Sequence, residues 1–440
     1  MRLIYGKPND RRGGVRRSRR LASVAVAGVG LVVAVAACDT TKLLSVDTPN
    51  NVPVAILDAP GNAGLMVNSA ITDYECAFGS AVLVEGIISD ELGDAQLGAA
   101  GWPYDRRDAN TQTNGIYGAN GCNSAQNPGI YTPLATARWD ADHAVKNLTT
   151  WTDAQVPNRQ ELLAQANLYA GFSYAMMGMS MCQAAFDLGP AVDQKGMFAL
   201  AEQRFTAAIA AAQTAGDNAI VSAAYGGRAR VRLYQGNTAG AATDAALVPN
   251  GFAYNATFDA SNSRRYNRVF SATAQFGDYT VEAQSQNLKT ENGEVDPRSA
   301  SQLTTTRPAD AKTSIWVPVR YAAGDGVPIP MTSYEEAQLI LAEIQGGASA
   351  VTIINAMRST VGLKPYIGPT DAASIKALII DERRRVLFAE GTRNYDIQRF
   401  NIPFNPAVGV AFPIKGGTYG NTSCLPLPDV ERFNNPNIGS

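Results

Sequence analysis

Apolar side chains recur at helical spacing along much of this chain, most regularly in two neighbouring segments, 160–180 and 198–213. In both segments small residues share one face and larger apolar residues lie beside them. This pattern lets partner helices approach closely, as in tetratricopeptide-type pairs. Segments 218–235 and 238–247 repeat the two patterns. Matching positions in segments 160–180 and 218–235 are farther apart than the ~34 residues of one tetratricopeptide motif. We therefore expect an insertion near residues 182–196.

Further segments with the same period complete a predicted helical body. They are 61–92, 132–151, the pair 333–345 and 349–360, and 371–390, which stops at Gly391. The pattern predicts a mainly α fold with a tetratricopeptide-like helical-repeat body. Its helical pairs are expected at about 132–247 and 333–390.

Two long stretches lack the helical period. Residues 95–130 are rich in Gly, Asn and Pro, and residues 250–330 are rich in Asn, Ser, Thr and aromatic residues. We predict irregular insertions at both places, built of loops and short strands packed on the body. Long loops in compact domains are often functional, so these insertions are the first places to look for a binding site.

The N-terminus has the pattern of an export signal. Residues 1–20 carry eight Lys/Arg and one Asp, and residues 21–37 are apolar and small, ending at Cys38. This order of regions describes a signal peptide, and a cysteine at the cleavage point indicates lipidation. We predict a lipoprotein signal peptide at 1–37, lipidation of Cys38 and a lipid-anchored tether at 38–58.

One alternative is a transmembrane anchor, but 17 Ala/Val/Gly-rich residues are marginal for crossing ~30 Å of hydrocarbon. Ser18-Arg19-Arg20 leaves the choice between general and twin-arginine export open. Loss of residues 1–37 shifts the net charge from −2 to about −9. That charge disfavours nucleic acid as a partner, because a nucleic-acid site needs a basic footprint.

The remaining four cysteines, Cys76, Cys122, Cys182 and Cys424, suggest two disulfides in an exported chain. Three pairings are open from sequence, as are free buried thiols. We favour Cys76–Cys122, which would hold the Gly-rich stretch on the first helix. Cys182–Cys424 would then hold the proline-rich tail on a core helix.

The last helical segment carries the most specific motif in the chain. Residues 382–399 read ERRRVLFAEGTRNYDIQR and resemble the C-terminal signature of SusD/RagB-type outer-membrane lipoproteins, with Val386 and Ala389 as departures. Other pieces of the family pattern follow in order. They are Ser89-Asp90-Glu91, Asp296-Pro297-Arg298, Tyr334–Glu343, Ile354–Arg358 with Gly362-Leu363, and Leu425-Pro426-Leu427-Pro428 with Asn435–Ile438.

This resemblance implies a single SusD-like domain at 59–440 with an irregular, ligand-facing layer on the helical body. It implies a non-enzymatic protein that is lipid-anchored at the outer membrane and faces the cell exterior. Such a protein binds an oligosaccharide or peptide and partners a TonB-dependent (SusC-like) transporter. No cofactor or metal is expected.

Aromatic residues in the insertions are the best ligand candidates, because sugar rings stack on aromatic faces while hydroxyls need planar polar partners. We select Trp102, Tyr104, Tyr266 and Trp316. The alternative for each is packing on the helical body.

Two other classes stay open. A glycoside hydrolase needs only two carboxylates, and Asp90, Glu91 and Asp94 would be its first suspects. A scaffold that binds only protein would need none of the loop aromatics. His143 is the only histidine and is expected to be structural. The charged residues of 382–399 are expected to tie the helix to the chain beyond it, since bidentate Arg–carboxylate pairs give geometric specificity.

Overall fold

Long helices form the body of the protein. The structure, a computed structural model, describes residues 57–97, 102–110, 116–124, 126–413 and 415–438, without the side chains of Trp102 and Ile116. Within those ranges the helices are α1 (Ala63–Ile88), α2 (Trp102–Asp105), α3 (Ile116–Ala119), α4 (Tyr131–Thr150), α5 (Arg159–Ser180), α6 (Gln194–Ala215), α7 (Asn218–Tyr234), α8 (Thr238–Ala245), α9 (Arg268–Phe270), α10 (Tyr334–Gln345), α11 (Gly347–Thr360), α12 (Ala372–Val386), α13 (Arg393–Phe400) and α14 (Asp429–Arg432).

Successive helices pack as neighbours: α4 lies against α1 and α5, α5 against α6, α6 against α7, and α10 against α11 and α12. Glycines make the closest approaches. A Cβ atom on Gly171 of α5 or Gly227 of α7 would lie 2.7 or 2.5 Å from the ring of Phe205 in α6. Phe205 is fully buried, so small residues on α5 and α7 make room for one large one. The predicted helical-repeat fold is therefore confirmed.

The insertion expected near residues 182–196 is a hairpin. Strands β2 (Gln183–Ala185) and β3 (Ala191–Asp193) pair antiparallel. The side chain of Asp193 then accepts a hydrogen bond from the Gly196 N–H at 2.8 Å and caps α6, as acidic N-cap residues do. The hairpin therefore leads the chain directly into the next helix of the repeat.

Short strands and turns form an irregular layer, which consists of the described residues within 92–130 and 250–333. Its strands pair antiparallel: β1 (Leu92–Asp94) with β5 (Tyr279–Val281), β4 (Ala253–Ala256) with β8 (Ile329–Ser333), and β6 (Ser301–Leu303) with β7 (Trp316–Pro318). The β1–β5 pair joins the two insertions that the sequence separates by more than a hundred residues. Side chains from both insertions can therefore line one cavity.

Both disulfides join the irregular parts of the chain to long helices. Cys76 of α1 is bonded to Cys122, with Cα atoms 5.5 Å apart, and Cys182 is bonded to Cys424, with Cα atoms 5.0 Å apart. Beside the second disulfide, the Cys182 N–H donates to the Leu425 carbonyl at 2.8 Å. The proline-rich tail is thus held at the end of α5 by a covalent bond and a hydrogen bond.

The predicted helix 371–390 is too long. Helix α12 ends at Val386, and Ala389 (φ 56°) and Gly391 (φ 78°) turn the chain before α13 begins. Long-range contacts hold this turn, because the Ala389 N–H donates to the Glu91 carboxyl and Glu390 pairs with Arg320. The signature therefore spans a helix end, a turn and a second helix.

Candidate ligand-binding site

Two capped turns present Tyr266 at the surface of the irregular layer. The side chain of Asn262 accepts from the Arg264 N–H at 3.1 Å, and Asn267 accepts from the Phe270 N–H at 3.1 Å. Each asparagine thus starts a short helical turn, one on either side of Tyr266. Asn capping is a local property of such sequences, so the position of Tyr266 follows from its neighbours.

Tyr266 lines a cavity of about 370 Å³, the Tyr266 cavity, to which both insertions contribute. The first insertion supplies Asn123, Ser124 and Gln126, and the second supplies Ser263, Tyr266, Arg268, Phe276 and Asp278. The ring of Phe276 is about half exposed. The cavity thus combines two aromatic rings with amide, hydroxyl and charged groups.

Two buried charges in the Tyr266 cavity have unused hydrogen-bonding atoms. Arg268 and Asp278 are 2% and 1% exposed. Arg268 Nη2 donates to the Ser263 carbonyl at 2.6 Å, and Asp278 Oδ1 accepts from Gln126 Nε2 at 3.4 Å. Arg268 Nε and Asp278 Oδ2 have no partner within the described ranges. Such orphaned atoms are costly when buried, and sugar hydroxyls could satisfy both, since a hydroxyl donates and accepts.

Burial favours the uncharged forms of both Asp278 and Arg268. It raises the pKa of Asp278 to about 6, against a hydrogen bond from Gln126. It lowers the pKa of Arg268 to about 10, against the charge of Asp325. At neutral pH the cavity therefore presents one cation and one mostly ionised carboxylate.

Trp316 lines a separate cavity of about 290 Å³, the Trp316 cavity. The backbone N–H of Trp316 donates to Thr280 Oγ1 at 2.8 Å, which fixes β7 beside β5. The charged lining residues are Asp94, Asp105, Glu282, Asp310 and Lys415, and the aromatic ones are Trp316, Phe412 and Tyr419. Four carboxyl groups thus face a single ammonium.

Three carboxyls of the Trp316 cavity, Asp94, Asp105 and Glu282, resist ionisation. Asp310 does not: burial opposes its ionisation, but hydrogen bonds from Thr313 and Lys312 lower its pKa. Burial raises the pKa of Asp105 well above its usual range, and the charges of Glu282 and Asp94 add to the effect. Burial raises the pKa of Asp94 to about 6 in spite of a hydrogen bond and ion pair with Lys415. A cation bound beside Asp105 and Asp94 would therefore favour their ionised forms.

The four aromatic candidates have different environments. Tyr266 and Trp316 line the two cavities. Tyr104 lines neither cavity: it is fully buried, and its hydroxyl donates to the Pro128 carbonyl at 2.8 Å, so it packs the layer from within. The side chain of Trp102 and all of Cys38 with residues 1–37 lie outside the described parts of the chain, and their predicted roles stay predictions.

Arg268, Asp278 and Gln126 carry no signal in the sequence that marks them as binding residues. Arg268 and Asp278 fall inside the aromatic-rich insertion, but nothing local distinguishes them from other charged residues. Gln126 Nε2 reaches Asp278 from the other insertion, 152 residues away in sequence. Only the fold brings these three side chains together.

Ion pairs of the C-terminal signature form a buried set, the signature network, made of Glu382, Asp396 and their arginine partners. Glu382 contacts Arg298 at 2.9 Å, Arg358 at 2.7 Å and Arg385 at 2.9 Å. Although burial opposes ionisation, these guanidinium groups hold the pKa of Glu382 below its usual range. Glu382 thus ties α12 to earlier parts of the chain, whereas Arg383 ties it to the chain beyond, as expected, through Asp396.

The same kind of pairing extends to α13. Arg383 of α12 lies 2.7 Å from Asp396 of α13, and Arg393 of α13 pairs with Asp90 at 2.7 Å. Glu91 is buried and accepts from the Ala389 N–H at 3.1 Å. Of the three carboxylates suspected of catalysis, Asp90 and Glu91 are thus enclosed in packing contacts, and Asp94 is paired with Lys415.

His143 has a structural environment. Its Nε2 lies 2.7 Å from Asp58 Oδ1, and its ring stacks on Trp139 with centroids 4.7 Å apart. No group of three or more His, Cys, Asp or Glu that could hold a metal occurs in the described part of the chain. Among the described helices, none is long and apolar enough to cross a membrane.

Comparisons with known proteins identify the fold. A SusD superfamily protein from Bacteroides vulgatus superposes with a TM-score of 0.65 at 15% identity, covering 86% of this chain and 98% of that one. A SusD-like carbohydrate binding protein from the same species gives 0.61 at 15%, with 86% and 97% covered. A laminarin binding SusD-like protein gives 0.53 at 16%, with 86% and 98% covered. No family model matches, nor does any curated protein.

The chain therefore has the fold of the SusD superfamily. The resemblance drawn from residues 382–399 is confirmed at the level of fold, although identity is low throughout.

Proposed function

We propose that this protein is a lipid-anchored surface protein that binds a glycan and delivers it to a TonB-dependent, SusC-like outer-membrane transporter. The observation that carries the binding part is the Tyr266 cavity, where Arg268 Nε and Asp278 Oδ2 are buried without partners beside two aromatic rings. The solved structures with this fold include a carbohydrate binding and a laminarin binding protein, which supports a glycan ligand.

Binding without catalysis is part of the proposal. Asp90 is engaged by Arg393 through both carboxylate oxygens, at 2.7 and 2.9 Å, and Glu91 is 1% exposed. Neither is placed to meet a glycosidic bond. Turnover of oligosaccharides by the pure protein would contradict this part.

The binding test is a calorimetric titration of purified protein with laminarin and other neutral oligosaccharides. Truncating an aromatic residue at a binding centre typically costs ~2 kcal/mol or more, so Tyr266→Ala should weaken binding by at least about tenfold with little change in melting temperature. Tyr366→Ala is the matched control, because Tyr366 donates to the Pro369 carbonyl and lines neither cavity. Equal affinity of Tyr266→Ala and the unsubstituted protein would overturn the placement.

Delivery to a transporter needs a separate test. We expect the membrane-derived protein to co-purify with a large outer-membrane barrel, and a Cys38→Ser variant to be released from the membrane fraction. Recovery as a membrane-free monomer without a barrel partner would contradict the lipid-anchored proposal. A scaffold that binds only protein is the second candidate, and it predicts that no oligosaccharide binds at all.

A further inference from the structure

The Trp316 cavity is lined by four carboxyl groups and a single ammonium. The ammonium of Lys415 is hydrogen-bonded to the carboxylate of Asp94, and it lies 3.0 Å from the Asp94 carbonyl and 4.0 Å from Asp310. Among the lining carboxyls, Lys415 therefore pairs with Asp94 and lies near Asp310. It also shows what kind of group this wall accepts, a primary ammonium held between carboxylates.

Asp105 and Glu282 have no such partner in the described part of the chain. Asp105 is 6% exposed, and its Oδ2 accepts from the Asp94 N–H at 2.8 Å. Its Oδ1 accepts no hydrogen bond in the described ranges, where neither carboxyl has an ammonium or guanidinium at ion-pair distance. The Glu282 carboxylate lies over Gly93, where a Cβ would meet Oε1 at 1.8 Å. Only glycine at position 93 leaves room for this carboxylate.

The nearby cation Arg107 does not fill this role. Its Nε donates to the Gly420 carbonyl and its Nη2 to the Pro406 carbonyl. Its guanidinium lies 4.6 Å from the ring centroids of both Phe404 and Tyr419. The guanidinium of Arg107 is therefore held by backbone carbonyls and aromatic rings. It interacts with Asp105 and Glu282 only through longer-range electrostatics.

An apolar surface accompanies the two carboxyls. Trp316 is half-buried in the lining, and Phe412 and Tyr419 pack edge to face with centroids 5.1 Å apart. An indole face suits the C–H face of a sugar ring or a cation. A cavity of about 290 Å³ is at the small end of the range for ligand pockets. A cavity of this volume can hold one sugar unit.

We propose that the Trp316 cavity is a second subsite that takes an aminated sugar unit, with its ammonium at Asp105 and Glu282 and its ring on Trp316. The inference rests on the proposed glycan-binding function and adds a substrate class to it. The free amine is the recognised group, because an N-acetylated sugar has no ammonium to pair with the two carboxyl groups.

Calorimetry with the full purified protein at neutral pH and low salt tests this subsite. The probes are oligosaccharides of one length built from glucosamine, N-acetylglucosamine or glucose. We expect the glucosamine oligomer to bind at least about tenfold more tightly than the N-acetylated one. Asp105→Asn, which keeps an acceptor for the Asp94 N–H, and Trp316→Ala should each abolish that preference.

Control variants separate the subsite from general charge and folding effects. Asp153→Asn removes an exposed carboxylate paired with Arg159, and Trp139→Ala removes a half-exposed indole that lines neither cavity. Both should keep the preference. Trp316→Phe, which retains an aromatic face, should keep part of it and guards against misfolding of the alanine variant.

Equal binding of the glucosamine and N-acetylglucosamine oligomers would overturn the inference. So would a preference that survives both Asp105→Asn and Trp316→Ala, or equal competition by a lysine oligopeptide. If neutral sugars bind through Tyr266 while no preference for the amine is seen, this inference fails and the proposed function stands. If no oligosaccharide binds, both fail.

Discussion

The signature network and the Trp316 cavity are both clusters of buried charge, but their balance is opposite. In the signature network the carboxylate of Glu382 has three arginine partners. In the Trp316 cavity four carboxyls surround a single ammonium, and Lys415 pairs with Asp94 and Asp310. Matched charges fix geometry and leave nothing for a ligand. A surplus of one sign beside a cavity leaves hydrogen-bonding capacity that only a proton or a ligand can use.

Asp90 and Glu91 repeat this contrast at adjacent positions. Burial opposes ionisation of Asp90, but Arg393 binds both of its oxygens and the pKa of Asp90 is lowered. Burial raises the pKa of Glu91 to about 8, since its hydrogen bond from Ala389 is too weak to compensate. Burial alone therefore does not decide the charge of these two carboxyls. The bidentate guanidinium partner of Asp90 makes the difference between them.

The largest expected effect is on the signature network. Glu382→Ala leaves three buried arginines without their shared carboxylate, and breaking a buried pair costs ~3–5 kcal/mol. Chemical denaturation should show a loss of unfolding free energy of that size. Asp381→Ala is the matched control, because Asp381 is half exposed and pairs only with Arg385, a contact worth ~1 kcal/mol or less. Similar losses for the two variants would contradict the structural role of Glu382.

A smaller, pH-dependent effect should separate Glu91 from Asp90. With its folded pKa raised to about 8, Glu91 favours folding at low pH, and this contribution is lost as the pH rises from about 4.5 towards 8. Glu91→Gln should remove that loss. As the pH rises from 5 to 9, the unfolding free energy of the variant should therefore increase by at least ~1 kcal/mol relative to that of the unsubstituted protein.

Asp90→Asn provides the comparison for that measurement. The pKa of Asp90 is lowered, so its contribution is complete above the unfolded value and is lost only in acid. The variant should be less stable by a constant amount between pH 5 and 9. Parallel stability curves for Glu91→Gln and the unsubstituted protein would show that Glu91 is ionised throughout.

The smallest change in stability is expected at the Tyr266 cavity. Asp278→Asn removes a charge whose Oδ2 has no partner, so unfolding free energy should change by less than ~1 kcal/mol. Binding of neutral oligosaccharide should fall about tenfold, since a hydrogen bond to a charged group contributes ~1.5–3 kcal/mol. A large loss of stability with unchanged affinity would make Asp278 a structural carboxylate.

Local sequence determined what could be predicted. The helices between 160 and 247 were predictable because their spacing and small residues are written within each segment. The end of α12 was not, because Ala389 and Glu390 are turned by Glu91 and Arg320 from distant parts of the chain. Aromatic content likewise placed Tyr104 ahead of Tyr266 as a ligand candidate, and only its burial and its hydrogen bond to the Pro128 carbonyl show that Tyr104 points inward.

The Cys76–Cys122 bond has a consequence for when the protein can bind. It holds the segment bearing Asn123 and Gln126 on α1, and that segment forms one wall of the Tyr266 cavity. Thiols stay reduced in a cytoplasm, so a chain retained there would lack the covalent hold on this wall. Oxidation after export would complete the cavity, and binding competence would then be acquired at the place where the ligand is met.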